Sequence, residues 1–212
     1  MGVRWLLKWQ QDVGVPGREV FEALCAAVEP LKTAERQSWK VQNASLRQGQ
    51  VETPLGLRDA VGPKVEVQCI TLGEADGSMY LLQREQRRVM QADQAMMDIL
   101  SKVMPYKARA SMRFEGWQYQ MGDFTVCIGR ATLKPKQEFR GFVVEIHYHP
   151  LDDLLMGQAI CKEIVEILQM GATGLKGSLK QVGADYQEWS LGDTYSLQHL
   201  AVQYNALTMA VL

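Results

Sequence analysis

The sequence lacks several features that would indicate a particular class of protein. Its 23 basic and 24 acidic residues leave a formal net charge of −1, so there is no basic excess of the kind that binds nucleic acid. No stretch approaches about 20 apolar residues, the length that crosses a bilayer, and we therefore expect no membrane span. Arg4 and Lys8 interrupt the apolar opening, which argues against a signal peptide.

Cysteine is also sparse, and its spacing suggests neither a metal site nor a disulfide framework. The four cysteines lie far apart and form no CxxC pair: Cys25, Cys69, Cys127 and Cys161. Buried thiols in a reducing compartment are the simplest interpretation, which favours the cytosol or the nucleus.

Motifs for nucleophilic or phosphate chemistry are missing or imperfect. There is no GxSxG sequence, and so no nucleophile elbow. The segment 171–178 is rich in glycine, but Leu175 separates Gly174 from Lys176, whereas a phosphate loop needs Gly-Lys-Ser/Thr in succession. His199 is expected near the start of a helix, where a capping or hydrogen-bonded role is the default. None of these features predicts a cofactor.

What the sequence does contain is a regular alternation between strand and helix patterns. Period-two alternation predicts strands at 3–9, 39–46, 64–72, 79–82, 88–92, 108–119, 124–128 and 142–148. Apolar residues at helical spacing predict helices over 20–31, from Asp93, from the Asp152–Asp153 pair and from Ser196 to the end. The segment 47–63 is predicted to be a loop, and 170–192 is predicted to be mostly loop.

These elements indicate the fold class α+β, because the strands come in runs with helices at the ends of the runs. We expect one domain over residues 1–212, with an antiparallel, barrel-like sheet and flanking helices. Closure into a barrel is one way to protect the edges of so many antiparallel strands.

The sharpest candidate for chemistry is one strand that carries Glu145, His147 and His149 on a single face. Two histidines and a carboxylate can hold a divalent metal. Against this, alternate residues of a strand lie about 6–7 Å apart, so bringing all three to one ion would strain the strand. A solvated polar face opposite the apolar Val144 and Ile146 is the favoured interpretation, and no metal ligand is assigned.

Two aromatic residues are candidates for a protein interface. Trp117 and Tyr119 share the face of their strand opposite to Phe114. If Phe114 points inward, Trp117 and Tyr119 lie outside and are suitable interface anchors. The alternative, weighed equally, is that this strand is covered on both sides within the domain.

Four segments of the chain resemble the Mediator subunit 20 family. They are 114–124 (FEGWQYQMGDF), 140–150 (RGFVVEIHYHP), 191–204 (LGDTYSLQHLAVQY) and 3–10 (VRWLLKWQ), the last two being similar to plant members. The resemblance extends over nearly the whole chain and is weakest at 43–63 and 170–188.

The resemblance implies a non-catalytic, nuclear subunit of the head module of Mediator, the coactivator between transcription regulators and RNA polymerase II. It implies a barrel with flanking helices, pairing with Mediator subunit 18, and a tether to the other head subunits through subunit 8. Contact with the polymerase machinery would be indirect, and no direct sequence-specific contact with nucleic acid is expected.

The same resemblance supplies a rival interpretation, since the family's barrel is distantly similar to that of tunnel-fold RNA triphosphatases. A metal-dependent phosphohydrolase of that type needs acidic and basic side chains inside the tunnel. We expect the interior to be apolar instead, filled by Phe124, Val126, Ile128, Phe142, Val144 and Ile146. The rival would gain support if Glu145, His147 and His149 lined a polar cavity.

Overall fold

A computed structural model of the protein describes residues 2–11, 17–48, 66–73, 78–102 and 106–211. Nine strands form one antiparallel sheet: β1 (Val3–Gln11), β2 (Gln37–Gln48), β3 (Glu66–Leu72), β4 (Ser78–Gln83), β5 (Arg88–Asp93), β6 (Tyr106–Met121), β7 (Phe124–Lys134), β8 (Glu138–Tyr148) and β9 (Gly177–Gln181). Four α-helices accompany them: α1 (Gly17–Val28), α2 (Ala95–Lys102), α3 (Leu154–Gly171) and α4 (Leu197–Val211). The α+β class predicted from the sequence is confirmed.

The strand order is β5-β4-β3-β2-β6-β7-β8-β1-β9. Within the described ranges β5 and β9 do not pair with each other, so the sheet is open and the expected barrel does not close. Helix α4 contacts β5 near one end of the order and β1 near the other, so the sheet curves around this helix. We call the face toward α4 the inner face and the opposite face the outer face.

Apolar side chains cover both faces of the sheet. On the inner face, Phe114 of β6 packs on Tyr204 of α4 with ring centroids 5.1 Å apart, and Leu6 and Ile70 are fully buried in the same cluster. On the outer face α1 and α3 cover β1, β7 and β8, and α2 covers part of β2, β3 and β4. Because both faces are buried, β8 has an unbroken buried run from Phe142 to Ile146.

The assignment of the sheet's interior was therefore wrong. All six residues expected inside the barrel pack on the outer face under α1 and α3: Phe124, Val126, Ile128, Phe142, Val144 and Ile146. The alternation along each strand was correct, but alternation cannot show which face is concave. The interior is filled by a helix, and the other set of side chains faces it.

The ends of several elements agree with their sequence signals. Asp93 Oδ1 accepts the Ala95 backbone N–H at 2.8 Å, and Asp153 Oδ1 accepts that of Met156 at 2.8 Å, so both carboxylates cap the helices that were predicted to start at these residues. Pro30 lies in a short 3₁₀ turn, Glu29–Leu31, directly after α1. The predicted turn at 74–77 and most of the predicted loop at 47–63 lie outside the described residues.

Strand β9 lies within the segment 170–192, which was predicted to be mostly loop, and no strand was predicted there. It pairs with β1 from Leu7↔Gln181 to Gln11↔Gly177. Only Leu179 of this strand is buried, so its five residues do not show the period-two pattern on which a strand prediction depends. Pairing with the regular strand β1 creates the strand.

Helix α3 approaches β1 closely through Gly157, and this contact gives the first testable prediction. A Cβ built on Gly157 would lie 2.7 Å from Val3 Cγ2, which is too close. We expect Gly157→Val to lower the free energy of unfolding by about 2 kcal/mol or more through overpacking. Urea denaturation followed by circular dichroism measures this change.

The matched control is Ala159→Val, on the exposed side of the same helix. It introduces the same β-branched side chain without the steric conflict, and it loses about 0.5 kcal/mol of helix propensity. Gly157→Val loses no helix propensity, because glycine is a poorer helix former than valine, so a larger destabilisation of this variant reports the overpacking. Equal destabilisation of the two variants would contradict the close α3–β1 contact.

Candidate functional site

A buried polar cluster joins α4 to the inner face of the sheet at Glu145. Arg4 Nη1 lies 3.3 Å from Glu145 Oε1, and the Tyr204 hydroxyl donates to Glu145 Oε2 at 2.5 Å. Glu145 is only 2% exposed and Arg4 8%. A carboxylate buried to this extent is stable only when it is paired and hydrogen-bonded, and β1 and α4 provide both kinds of contact.

Tyr204 keeps its proton in this position. Complete burial raises the pKa of its hydroxyl well above the ordinary value, and the neighbouring Glu145 carboxylate adds to the effect. The phenol is therefore a neutral donor at physiological pH. The hydrogen bond is thus between an O–H and a carboxylate, the stronger, charge-assisted kind.

Gln203, one residue earlier, binds the backbone of β1. Its Oε1 accepts the Leu6 N–H at 2.8 Å, and its Nε2 donates to the Arg4 carbonyl at 3.1 Å. Strand β9 pairs with β1 only from Leu7 onward, and the Val182 N–H donates to the Leu6 carbonyl. The amide of Gln203 therefore continues the hydrogen bonding of the sheet beyond the end of β9.

Further polar contacts hold the rest of α4. Asn43 Nδ2 donates to Thr208 Oγ1 at 2.8 Å, and Arg84 Nη2 donates to Asn205 Oδ1 at 3.1 Å. These contacts reach β2 and the segment after β4. The helix is thus attached by hydrogen bonds to both halves of the curved sheet.

His199 has the capping role predicted for it. The Ser196 N–H donates to His199 Nδ1 at 3.1 Å, and His199 Nε2 lies 2.9 Å from the Gly192 carbonyl. Because Nδ1 accepts, the ring proton is on Nε2 and is donated to Gly192. Burial lowers the pKa of His199. Ser196 Oγ is 2.9 Å from Nδ1, but a ring 2% exposed is closed to a substrate.

The three residues of the metal hypothesis lie in three different environments. Glu145 is buried in the α4 cluster, His147 is half-buried and His149 is exposed, with its Nε2 2.8 Å from Thr125 Oγ1. The expectation of a solvated face is therefore wrong for Glu145. Among the described residues no three His, Cys, Asp or Glu side chains come together to hold a metal ion.

Burial also governs the charge of His147. It lowers the pKa of this imidazole to about 3, and the nearby Arg4 guanidinium and His149 contribute in the same direction. His147 is accordingly neutral at physiological pH. Its ring centroid lies 3.9 Å from that of His149, a close pairing that requires at least one neutral ring.

The pair Trp117 and Tyr119 does lie opposite Phe114, but this outer face is covered. Tyr119 is fully buried, and burial raises the pKa of its hydroxyl to about 12. Trp117 is half-buried, with the Arg36 guanidinium 4.3 Å from the centre of its ring. Tyr119 therefore presents no surface, and the interface hypothesis stays a prediction for Trp117 alone.

The remaining sequence features have structural roles. The segment 171–178 runs from the end of α3 into β9. All four cysteines lie in the described residues and no disulfide joins them. Burial raises the pKa of the Cys69 and Cys161 thiols to about 12, which makes them unreactive. Among the helices of the described residues, none is both long and apolar enough to cross a bilayer.

The geometry also bears on the tunnel-enzyme interpretation. A tunnel enzyme needs an accessible interior lined by carboxylates and cations. Here α4 occupies the inner face, and Leu200, Tyr204 and Leu207 are at most 1% exposed. Glu145 does point inward, but its two carboxylate oxygens are bound by Arg4 and Tyr204. Where these residues of α4 cover it, the inner face is a packed core with a neutralised polar centre.

The sequence reasoning missed Arg4, Glu145 and Gln203 as a group. Two signals could have found them. Glu145 is the one charged residue in the apolar run 142–146, and Gln203 lies in a helix that is buried almost all round. A polar residue in such a position needs a buried partner.

Comparison with known proteins identifies the family. The model of the family described as the TATA-binding related factor of subunit 20 of the Mediator complex matches residues 1–208. Mediator of RNA polymerase II transcription subunit 20b from Arabidopsis thaliana is 30% identical over 210 residues, 96% of this chain and 93% of that protein.

Two solved structures can be aligned with most of the chain. A chain of the Schizosaccharomyces pombe Mediator head module is 12% identical, with a TM-score of 0.40 over 84% of this chain and 98% of that chain. A protein from Pyrococcus horikoshii OT3 is 11% identical, with a TM-score of 0.39 over 88% and 97%.

The fold is of the α+β class, with an open antiparallel sheet around the buried helix α4. The extent of the family match and of the identity to the plant relative shows that this chain belongs to the Mediator subunit 20 family. It is thus a component of the transcription machinery, as the resemblance implied.

The Gln203 contacts with β1 give the second prediction. In Gln203→Met the side chain keeps its length but leaves the Leu6 N–H and the Arg4 carbonyl buried without these partners. We expect the free energy of unfolding to fall by about 2–4 kcal/mol. Chemical denaturation measures the change, and Gln198→Met, at a half-buried position of the same helix, is the control. Equal, small changes in the unfolding free energy of the two variants would contradict the role of Gln203 in joining α4 to β1.

The third prediction concerns pH. The pKa of His147 is about 3 in the folded chain and ordinarily 6.5, so the unfolded chain takes up this proton first as the pH falls. The unfolding free energy should therefore decrease below about pH 6.5, and less so in His147→Gln. An NMR titration should show no protonation of the His147 ring near pH 5; a midpoint near the ordinary value would refute the burial effect.

Proposed function

We propose that this chain is a non-catalytic structural subunit of the Mediator head module that acts in the nucleus. The observation that carries the proposal is the family match over residues 1–208. The similarity to the Arabidopsis relative, a Mediator subunit of RNA polymerase II transcription, supports the same role. Within Mediator, its task is to help couple transcription regulators to the polymerase.

The core of the fold supports a role without catalysis. Helix α4 fills the inner face, and the buried Glu145, Arg4 and Tyr204 are engaged with one another. Groups that are fully used in packing and hydrogen bonding stabilise a fixed shape. A fixed shape is what a subunit of a large assembly contributes, since partners then bind without a conformational cost.

We further propose that residues 1–212 act as one domain that pairs with Mediator subunit 18, with subunit 8 tethering the pair to the rest of the head. One sheet connects β5 to β9, and α4 contacts strands of both halves, which supports a single unit. Trp117, half-buried on the outer face, is a candidate contact in that assembly.

The fourth prediction tests the pairing. Co-expressed with subunit 18 of its own organism, the chain should elute as a stable 1:1 complex, with an interface well above about 1,000 Å². Size-exclusion chromatography with light scattering measures the mass. Two separate monomers at micromolar concentration would contradict the pairing.

A further inference from the structure

A groove of about 850 Å³ lies between the start of β1, the first turn of α3 and the segment 183–193. Its lining is mostly apolar and includes Trp5, Leu154, Leu155, Ala184, Tyr186 and Leu191. This volume is within the range of sites that bury a ligand or a few side chains of a peptide. The groove lies on the outside of the molecule, and Arg4 is the member of the Glu145 cluster that also lines it.

The walls of the groove are held in place by hydrogen bonds. Thr194 forms a bridge with Asp153 at the start of α3, and the Tyr195 N–H donates to the Asp152 carbonyl at 2.7 Å. The Asp185 carboxylate accepts the N–H groups of Gln187 and Glu188 at 3.1 and 3.2 Å. Because both walls are connected to each other, the groove is preformed rather than a gap beside a loose loop.

One rim of the groove carries unusually exposed apolar side chains. Leu155, which lines the groove, is 79% exposed, and the adjacent Met156 is 63% exposed. A single exposed leucine is ordinary, but two consecutive apolar residues beside an apolar groove form a continuous surface. Such surfaces mark binding sites.

The charge around the groove is mainly negative. Asp153, Asp185 and Asp193 contribute carboxylates to the lining. Among the residues that line it, Arg4 is the one cation, and its guanidinium lies 3.3 Å from the buried Glu145 carboxylate. The whole chain is nearly neutral at −1, so this acidity is local. A complementary ligand is cationic where it meets the rim and apolar where it enters the groove.

We propose that this groove binds a segment of a partner protein that carries a bulky apolar side chain flanked by lysine or arginine. The apolar side chain would enter beside Leu155 and Leu191, and the basic residues would meet Asp185 and Asp193. Nucleic acid and acidic peptides do not fit, because the carboxylates repel them. The inference goes beyond the pairing with subunit 18, since it depends only on the groove and its charge.

The test uses the purified full chain and three fluorescein-labelled peptides of equal length. One has leucine and lysine at helical spacing, one has leucine and glutamate at the same positions, and one has serine and lysine. Fluorescence anisotropy should show the leucine–lysine peptide binding at least about tenfold more tightly than the other two. Its affinity should fall as salt is added, because the rim charges are exposed.

Three outcomes would overturn the inference. If the serine–lysine peptide bound equally well, the attraction would be between charges only. If the leucine–glutamate peptide bound equally well, the contact would be apolar only. If no peptide bound, the groove would not be a site for a ligand of this kind. Because the experiment contains no subunit 18, its result is independent of the proposed pairing. The groove inference can be refuted while the pairing with subunit 18 is confirmed, and the pairing can be refuted while the groove inference is confirmed.

Variants locate the binding on the surface. Leu155→Ser and Asp193→Asn should each weaken the leucine–lysine peptide by about fivefold or more. Met170→Ser is the matched control, because Met170 is 66% exposed near the opposite end of the same helix, and it should leave the affinity unchanged. Circular dichroism verifies the folding of each variant. If all three variants weakened binding equally, the peptide would not be in the groove.

Discussion

The hydrogen bonds between the Gln203 side chain and the backbone of β1 fix the position of α4, and much of the structure depends on that helix. Hydrophobic contact alone is non-directional and would allow α4 to slide or rotate. The amide of Gln203 meets one N–H and one carbonyl of β1, at 2.8 and 3.1 Å. A shift by one residue would leave both groups buried without these partners, which costs several kcal/mol.

Burial supplies the larger part of the energy and hydrogen bonding the specificity. Leu200, Tyr204 and Leu207 are almost completely buried, and each contributes on the order of 1.5–3 kcal/mol. Their sum is comparable with the whole net stability of a typical domain, about 5–15 kcal/mol. The open sheet therefore does not need to close on itself, because the helix buries its inner face.

How much of this could be predicted from the sequence depends on how local each feature is. The capping roles of Asp93, Asp153 and His199 were predictable, because a cap involves neighbours in sequence. Strand β9 was not, since its pairing with β1 joins residues some 170 positions apart and its own pattern is weak. The prediction exchanged the inner and outer faces of the sheet, because an alternating pattern does not distinguish the two faces of a strand.

The Glu145 cluster shows the same limit at the level of a site. Arg4, Glu145 and Tyr204 come from the first strand, the eighth strand and the last helix, and no sequence spacing connects them. The resemblance nevertheless contained the information, because the segments 3–10, 140–150 and 191–204 are the parts of the chain that carry Arg4, Glu145 and Tyr204. In this chain the three segments meet in one buried contact.

The coverage of both sheet faces determines where a partner can bind. Helices α1, α2 and α3 occupy the outer face and α4 the inner one, so a partner meets helix surfaces, sheet edges or connecting segments. Connecting segments tolerate variation better than core elements do, and they commonly carry function. In this chain the connection from β9 to α4 is held against the start of α3 by backbone hydrogen bonds. A surface of this kind combines the adaptability of a loop with the fixed shape that tight assembly requires.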